Sequence, residues 1–111
     1  MFTNWKEQTQ ITKQAFGKMA QAHPKMLQAM GALNAASAEE GLDAKTRELI
    51  ALAVAITTRC ESCISVHAEA AIKAGATDSE IAGALATAIE TNTGAAYAYA
   101  LRAFEAVETQ R

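Results

Sequence analysis

Eight consecutive apolar residues, Leu49-Ile50-Ala51-Leu52-Ala53-Val54-Ala55-Ile56, constrain this chain more than any other stretch. As a helix the run has no polar face, so every side of it has to be covered. It falls far short of the ~18 residues of a membrane span, which leaves burial in protein as the only solution. A small domain has few elements with which to provide that cover. The run is therefore expected to be the central core helix, with part of its surface packed against another subunit.

The rest of the chain points the same way. One proline and six glycines in 111 residues leave little room for turns, so a few long helices are expected rather than many short strands. No β-alternation of useful length occurs, and no linker-like stretch divides the chain. The expected fold is all-α, one domain over residues 1–111, with about six helices. A net charge of −2 provides no basic footprint for nucleic acid. The first residues, Met1 to Lys6, lack the basic-then-apolar pattern of a signal peptide, and cytoplasm is the expected compartment.

Helix boundaries follow from local chemistry. From Ile11 onward, Ala15, Phe16, Met19 and Ala20 keep amphipathic spacing in a first helix spanning roughly Asn4 to Ala22. His23-Pro24 ends it, because the residue before proline avoids the α region, and Pro24 is suited to opening the next helix. That second helix carries Met26, Leu27, Met30 and Leu33 on one stripe. Gly41-Leu42 forms a turn, and Asp43 is the expected N-cap of the helix containing the apolar run. A fourth helix runs from about Cys60 to Ala74, with Gly75 as its left-handed C′ residue. Thr77 and Glu80 have capping-box spacing. Ile81, Leu85 and Ile89 follow at intervals of four, a break is expected near Thr91 to Gly94, and a last helix carries Tyr97, Leu101, Phe104 and Val107.

Both cysteines and one of two histidines lie within Cys60-Glu61-Ser62-Cys63-Ile64-Ser65-Val66-His67. Cys63 and His67, four apart, share a helix face, and a thiol at a helix N-terminus meets the positive end of the peptide dipoles. The pattern fits a redox dithiol with an adjacent proton carrier. A thioredoxin-like site needs a sheet that this chain lacks, and c-type haem attachment needs histidine where Ile64 stands. Two other readings stay open: a zinc site using Cys60, Cys63, His67 and a glutamate (Glu61 or Glu48), and a pair of inert buried thiols.

Glu48, then Cys60-x-x-Cys63-x-x-x-His67, resembles the active-site signature of the alkylhydroperoxidase D-like proteins of the carboxymuconolactone decarboxylase superfamily. The likeness runs from about Leu42 to Ile89, including Lys45-Thr46-Arg47-Glu48 and Lys73-Ala74-Gly75-Ala76-Thr77. It implies a helical fold assembling into homo-trimers or hexamers and a thiol-dependent peroxidase activity needing no cofactor or metal. By position, Cys63 matches the cysteine that attacks peroxide, Cys60 the one that closes the disulfide, and His67 with Glu48 a proton relay. The implied partners are a small peroxide substrate and a thiol or disulfide reductant. Longer members carry histidine directly before the second cysteine, where this chain has Ser62. The alternatives are a decarboxylase-type lyase, against which the cysteine pair counts, and a non-catalytic redox sensor.

Glu48 also has a plainer reading, as a dipole-complementing residue in a first helical turn. It lies about 15 Å of helix before the turn near Cys60, and His67 about 10 Å beyond it. That offset predicts contact only through a water or a bent connection. His23 is expected to mark a helix boundary, Tyr97 and Tyr99 to pack at the core margin, and Met19, Met26 and Met30 to fill the core.

Overall fold

The computed structural model describes residues 2–111, and among them the secondary structure is entirely helical. Five helices follow in order: α1 (Trp5–Ala22), α2 (Pro24–Ser37), α3 (Ala44–Thr58), α4 (Glu61–Lys73) and α5 (Asp78–Thr109). Their starts are set by local chemistry, as expected at Pro24, Asp43 and Thr77. Asn4 Oδ1 accepts the Glu7 N–H, Asp43 Oδ1 accepts the Thr46 N–H at 2.7 Å, and Pro24 occupies the first turn of α2. Thr77 and Glu80 form the reciprocal capping box of α5. Gly41 and Gly75 take positive φ, 96° and 85°, where a Cβ would be strained.

The helix count differs from expectation because the break near Gly94 does not exist. α5 runs unbroken for 32 residues. Its polar residues are engaged without leaving the helix: Thr87 and Thr93 hydroxyls donate to the carbonyls one turn back, and Asn92 reaches across to the Thr57 hydroxyl. Gly94 costs the helix about 1 kcal/mol relative to alanine, too little to end it.

The helices pack as an open series, α2–α1–α4–α3–α5, in which each touches only those beside it. α3 and α4 form an antiparallel pair around the apolar run. Buried apolar side chains are few among the described residues: Leu52, Ala55, Ala71 and Ala88. The apolar run does lie centrally, between α4 and α5, but Ile50 and Val54 remain exposed.

Two expectations about the flanking helices are overturned. α1 buries Thr9 and Thr12, while Ile11, Phe16 (61% exposed) and Met19 stay exposed; Phe16 and Met19 share Thr12's face and line a shallow pocket with Ser62. Met26 and Met30 are likewise exposed instead of filling a core, and so are Tyr97 and Tyr99. The reason is topological. α2 packs only on α1, and α5 only on α3, so the outer faces of the series have no helix opposite them. No helix among the described residues is long and apolar enough to cross a membrane.

Candidate functional site

The site begins where α3 ends. Arg59 adopts the left-handed conformation (φ 55°, ψ 45°), and the Cys60 N–H donates to the Ala55 carbonyl at 3.0 Å. That six-to-one bond is the mark of a Schellman ending, with Arg59 at the position glycine usually fills. Cys60 therefore closes α3 and opens α4 at once. As N-cap of α4 its sulfur accepts the Cys63 N–H at 3.2 Å, while its carbonyl accepts the Ile64 N–H. The tight turn brings the Cα atoms of Cys60 and Cys63 to 5.2 Å, and the two are joined as a disulfide.

Both sulfurs thus lie in the first turn of α4, beside its unsatisfied N–H groups. In the dithiol state this position stabilises a thiolate. The half-buried setting leaves the sulfurs within reach of a small reagent.

His67 stands one turn beyond Cys63 on the same helix. Its Nδ1 is 2.7 Å from Glu48 Oε2 on α3. Direct contact corrects the expectation of a water-bridged or bent arrangement. An axial offset of about one turn is only ~5 Å, comparable with the separation that i,i+4 side chains bridge routinely. Two side chains as long as glutamate and histidine span it. With Glu48 as a carboxylate, which only accepts, the neutral ring places its hydrogen on Nδ1 in this bond and its lone pair on Nε2. The glutamate side chain is 20% exposed and the histidine 36%, so the pair is sheltered but open on one side.

α1 adds a residue that sequence spacing did not single out. The Gln8 side-chain amide donates to the Ser62 hydroxyl at 3.4 Å, and Ser62 sits between the two cysteines. The signal was present in hindsight, since Gln8, Thr9 and Thr12 form a polar stripe on α1. It pointed to the site only once α1 was seen to lay that stripe on α4, where Ser65 is also buried. Lys13 on α1 further pairs with Glu69 on α4 at 2.9 Å, holding the Glu69 carboxyl below the usual range. His23 lies at the α1–α2 boundary, remote in chemistry from the pair, and makes no side-chain cap bond there.

Both sulfurs are committed to the disulfide, and no group of three or more His, Cys, Asp or Glu side chains is arranged to hold a metal among the described residues. The arrangement suits thiol–disulfide chemistry: two sulfurs at a helix N-terminus, an oriented imidazole a turn away, and a carboxylate behind it.

The model of the carboxymuconolactone decarboxylase family matches residues 24–106. An uncharacterized protein of Haemophilus influenzae is 65% identical over 112 residues, covering 100% of this chain and 99% of its own. An uncharacterized protein of Cupriavidus necator is 36% identical over 96 residues, covering 86% of this chain and 84% of its own. A third relative, uncharacterized protein 4 in the cox locus of Paracoccus denitrificans, is 42% identical over 71 residues, 64% of each chain.

Proposed function

The chain belongs to the carboxymuconolactone decarboxylase family, and from that premise we propose that it is a thiol-dependent, peroxidase-type oxidoreductase working through Cys60 and Cys63. The observation that carries this reading is the hydrogen-bonded Glu48–His67 pair one turn from a cysteine pair at a helix N-terminus.

In the dithiol state the Cys63 thiol gives its proton to Nε2 of His67, while Glu48 holds the imidazole in place and offsets its positive charge. The thiolate attacks the distal peroxide oxygen: a sulfur–oxygen bond forms, the O–O bond breaks, and the alkoxide leaves with the proton returned by His67. Cys63 is then a sulfenic acid. Cys60 attacks its sulfur, the S–S bond forms, and the hydroxyl departs as water with the Cys60 proton. The sum is one peroxide and two thiols converted to an alcohol, a water and a disulfide. An external thiol or dithiol reductant restores the pair by exchange. A reducing compartment such as the cytoplasm suits that last step.

Free-thiol titration of the reduced protein before and after an alkyl hydroperoxide tests the reading. Wild type should lose both thiols per equivalent of peroxide. Cys63→Ser should keep its remaining thiol, and Cys60→Ser should stop at sulfenic acid, trappable by dimedone. Two free thiols in wild type after peroxide would defeat the proposal. Repeated turnover with a dithiol reductant separates an enzyme from a one-shot sensor.

A further inference from the structure

We propose that the shallow cleft between α1 and the start of α4 is a subsite for the apolar group of an organic peroxide, and that Thr12, Phe16 and Met19 decide which peroxide reaches Cys63. As a substrate site it rests on the proposed thiol chemistry. Thr12, Ala15, Phe16 and Met19 follow at i, i+3, i+4 and i+7, so they share one face of α1. With Ser62 of α4 they line a cleft of about 280 Å³. That is at the small end for ligand sites, and equals the share of about nine waters in the liquid. A phenyl ring or a short alkyl chain is the size it takes.

Placement ties the cleft to the cysteines. α1 crosses α4 antiparallel: Trp5 shares a pocket with Ile72 and Lys73 near the end of α4, and Phe16 shares this cleft with Ser62 in the first turn. The second half of α1 therefore lies at the end of α4 that carries the disulfide. Ser62 stands between Cys60 and Cys63 in the chain, and neighbouring Cα atoms are about 3.8 Å apart. The cleft adjoins the cysteines without including them. It holds the body of a substrate while the oxygen end reaches past Ser62 to Cys63. Gln8, one turn before Thr12, pins this edge through its bond to the Ser62 hydroxyl.

The chemistry of the lining selects the class. None of its residues is charged, and the side chains of Ala15, Phe16 and Met19 present only carbon and sulfur. An anion or a cation meets no counter-charge there. Thr12 is 5% exposed, and its Oγ1 has no hydrogen-bond partner. A buried hydroxyl left unpaired is costly, and a ligand's oxygen at the cleft can pair with it. An apolar wall with one unpaired hydroxyl fits a molecule with an apolar body and an oxygen function. An organic hydroperoxide has both, whereas hydrogen peroxide has only the second. α1 ends before Pro24, where the family match begins, so this wall comes from a helix outside the matched segment.

Binding and reaction are read separately, so failure of the cleft and failure of the thiol chemistry are told apart. The reduced full chain, with methyl-labelled methionine, is titrated by NMR with cumyl alcohol, the unreactive product of cumene hydroperoxide. The Met19 signal should shift saturably, and those of Met26 and Met30, exposed on α2, should stay in place. No Met19 shift up to the solubility limit of the alcohol, or the same shift at all three, overturns the cleft. Thr12→Val keeps the shape and loses the hydroxyl. It should weaken this binding about threefold or more, and an unchanged affinity overturns the part given to Thr12. In thiol-loss kinetics, Ala15→Trp fills the cleft and should lower the rate with cumene hydroperoxide relative to hydrogen peroxide about tenfold or more. An unchanged ratio overturns the specificity. If that variant loses its helical signal, Phe16→Ala, which removes an exposed wall, is read by the same ratio. Wild type that reacts with neither peroxide defeats the thiol chemistry, and the Met19 titration still decides the cleft.

Discussion

Cys60 performs two structural tasks with one residue, ending α3 with its N–H and capping α4 with its sulfur. Serine caps at least as well as cysteine, so Cys60→Ser should leave the melting temperature of the reduced protein nearly unchanged while abolishing the disulfide. Arg59 holds the turn before it in a conformation that costs a non-glycine residue about 1–2 kcal/mol. Arg59→Gly relieves that cost but frees the unfolded chain. The net expectation is a gain of up to about 1 kcal/mol, read from the denaturant midpoint of the reduced protein. Glu48→Gln removes the charge behind His67. Thiol oxidation by peroxide should slow by about 10- to 100-fold, and the pH–rate profile should change shape; a stability effect alone would leave the profile unchanged.

At the scale of the helices, the α3–α5 contact is pinned at its start by charge. Lys45 donates to Glu80, and the Thr77 N–H and hydroxyl add to it, so the Glu80 carboxyl falls from its ordinary 4.5 to about 2. A lowered folded value means that the stability from Glu80 is complete above the ordinary carboxylate range and is lost as pH falls toward about 2. Thermal melts from pH 6 downward should therefore show wild type losing more stability between pH 4.5 and 2 than Glu80→Gln does. An equal loss in both would place the acid sensitivity in other carboxylates, such as Asp43 or Glu69. Those are also held low, by the Thr46 N–H and by Lys13 respectively. The same elements show what was legible beforehand. Caps at Asp43 and Thr77, the glycine endings and the α1–α2 boundary at His23-Pro24 were local chemistry and were visible in the sequence. The continuity of α5 through Gly94 was not, because one glycine costs a helix only about 1 kcal/mol and Thr93 and Asn92 satisfy their side chains without leaving it.

For the whole molecule, few apolar side chains are buried within one chain. A self-association that covered the exposed apolar residues would add a large hydrophobic contribution to that of the single chain. The melting temperature of the wild type should then rise with protein concentration, as mass action requires for an obligate oligomer. A concentration-independent melt would mean that the open helix series is stable alone. The apolar run at Leu49 to Ile56 contributes to that exposed surface, because Ile50 and Val54 remain exposed even with α4 and α5 packed beside it.

The sequence by itself determined the helical class, the caps at Asp43 and Thr77, and the signature of Glu48, Cys60, Cys63 and His67. All of these depend on residues within a few positions of one another, or on a spacing that survives in one dimension. Tertiary structure alone decided that Glu48 touches His67 directly, that Gln8 reaches Ser62, and that α1 turns its polar stripe inward. Each of these depends on how one helix is rotated and shifted against another. Periodicity marks the two faces of a helix, but which face meets the rest of the chain and which stays exposed depends on the helices available to pack against it.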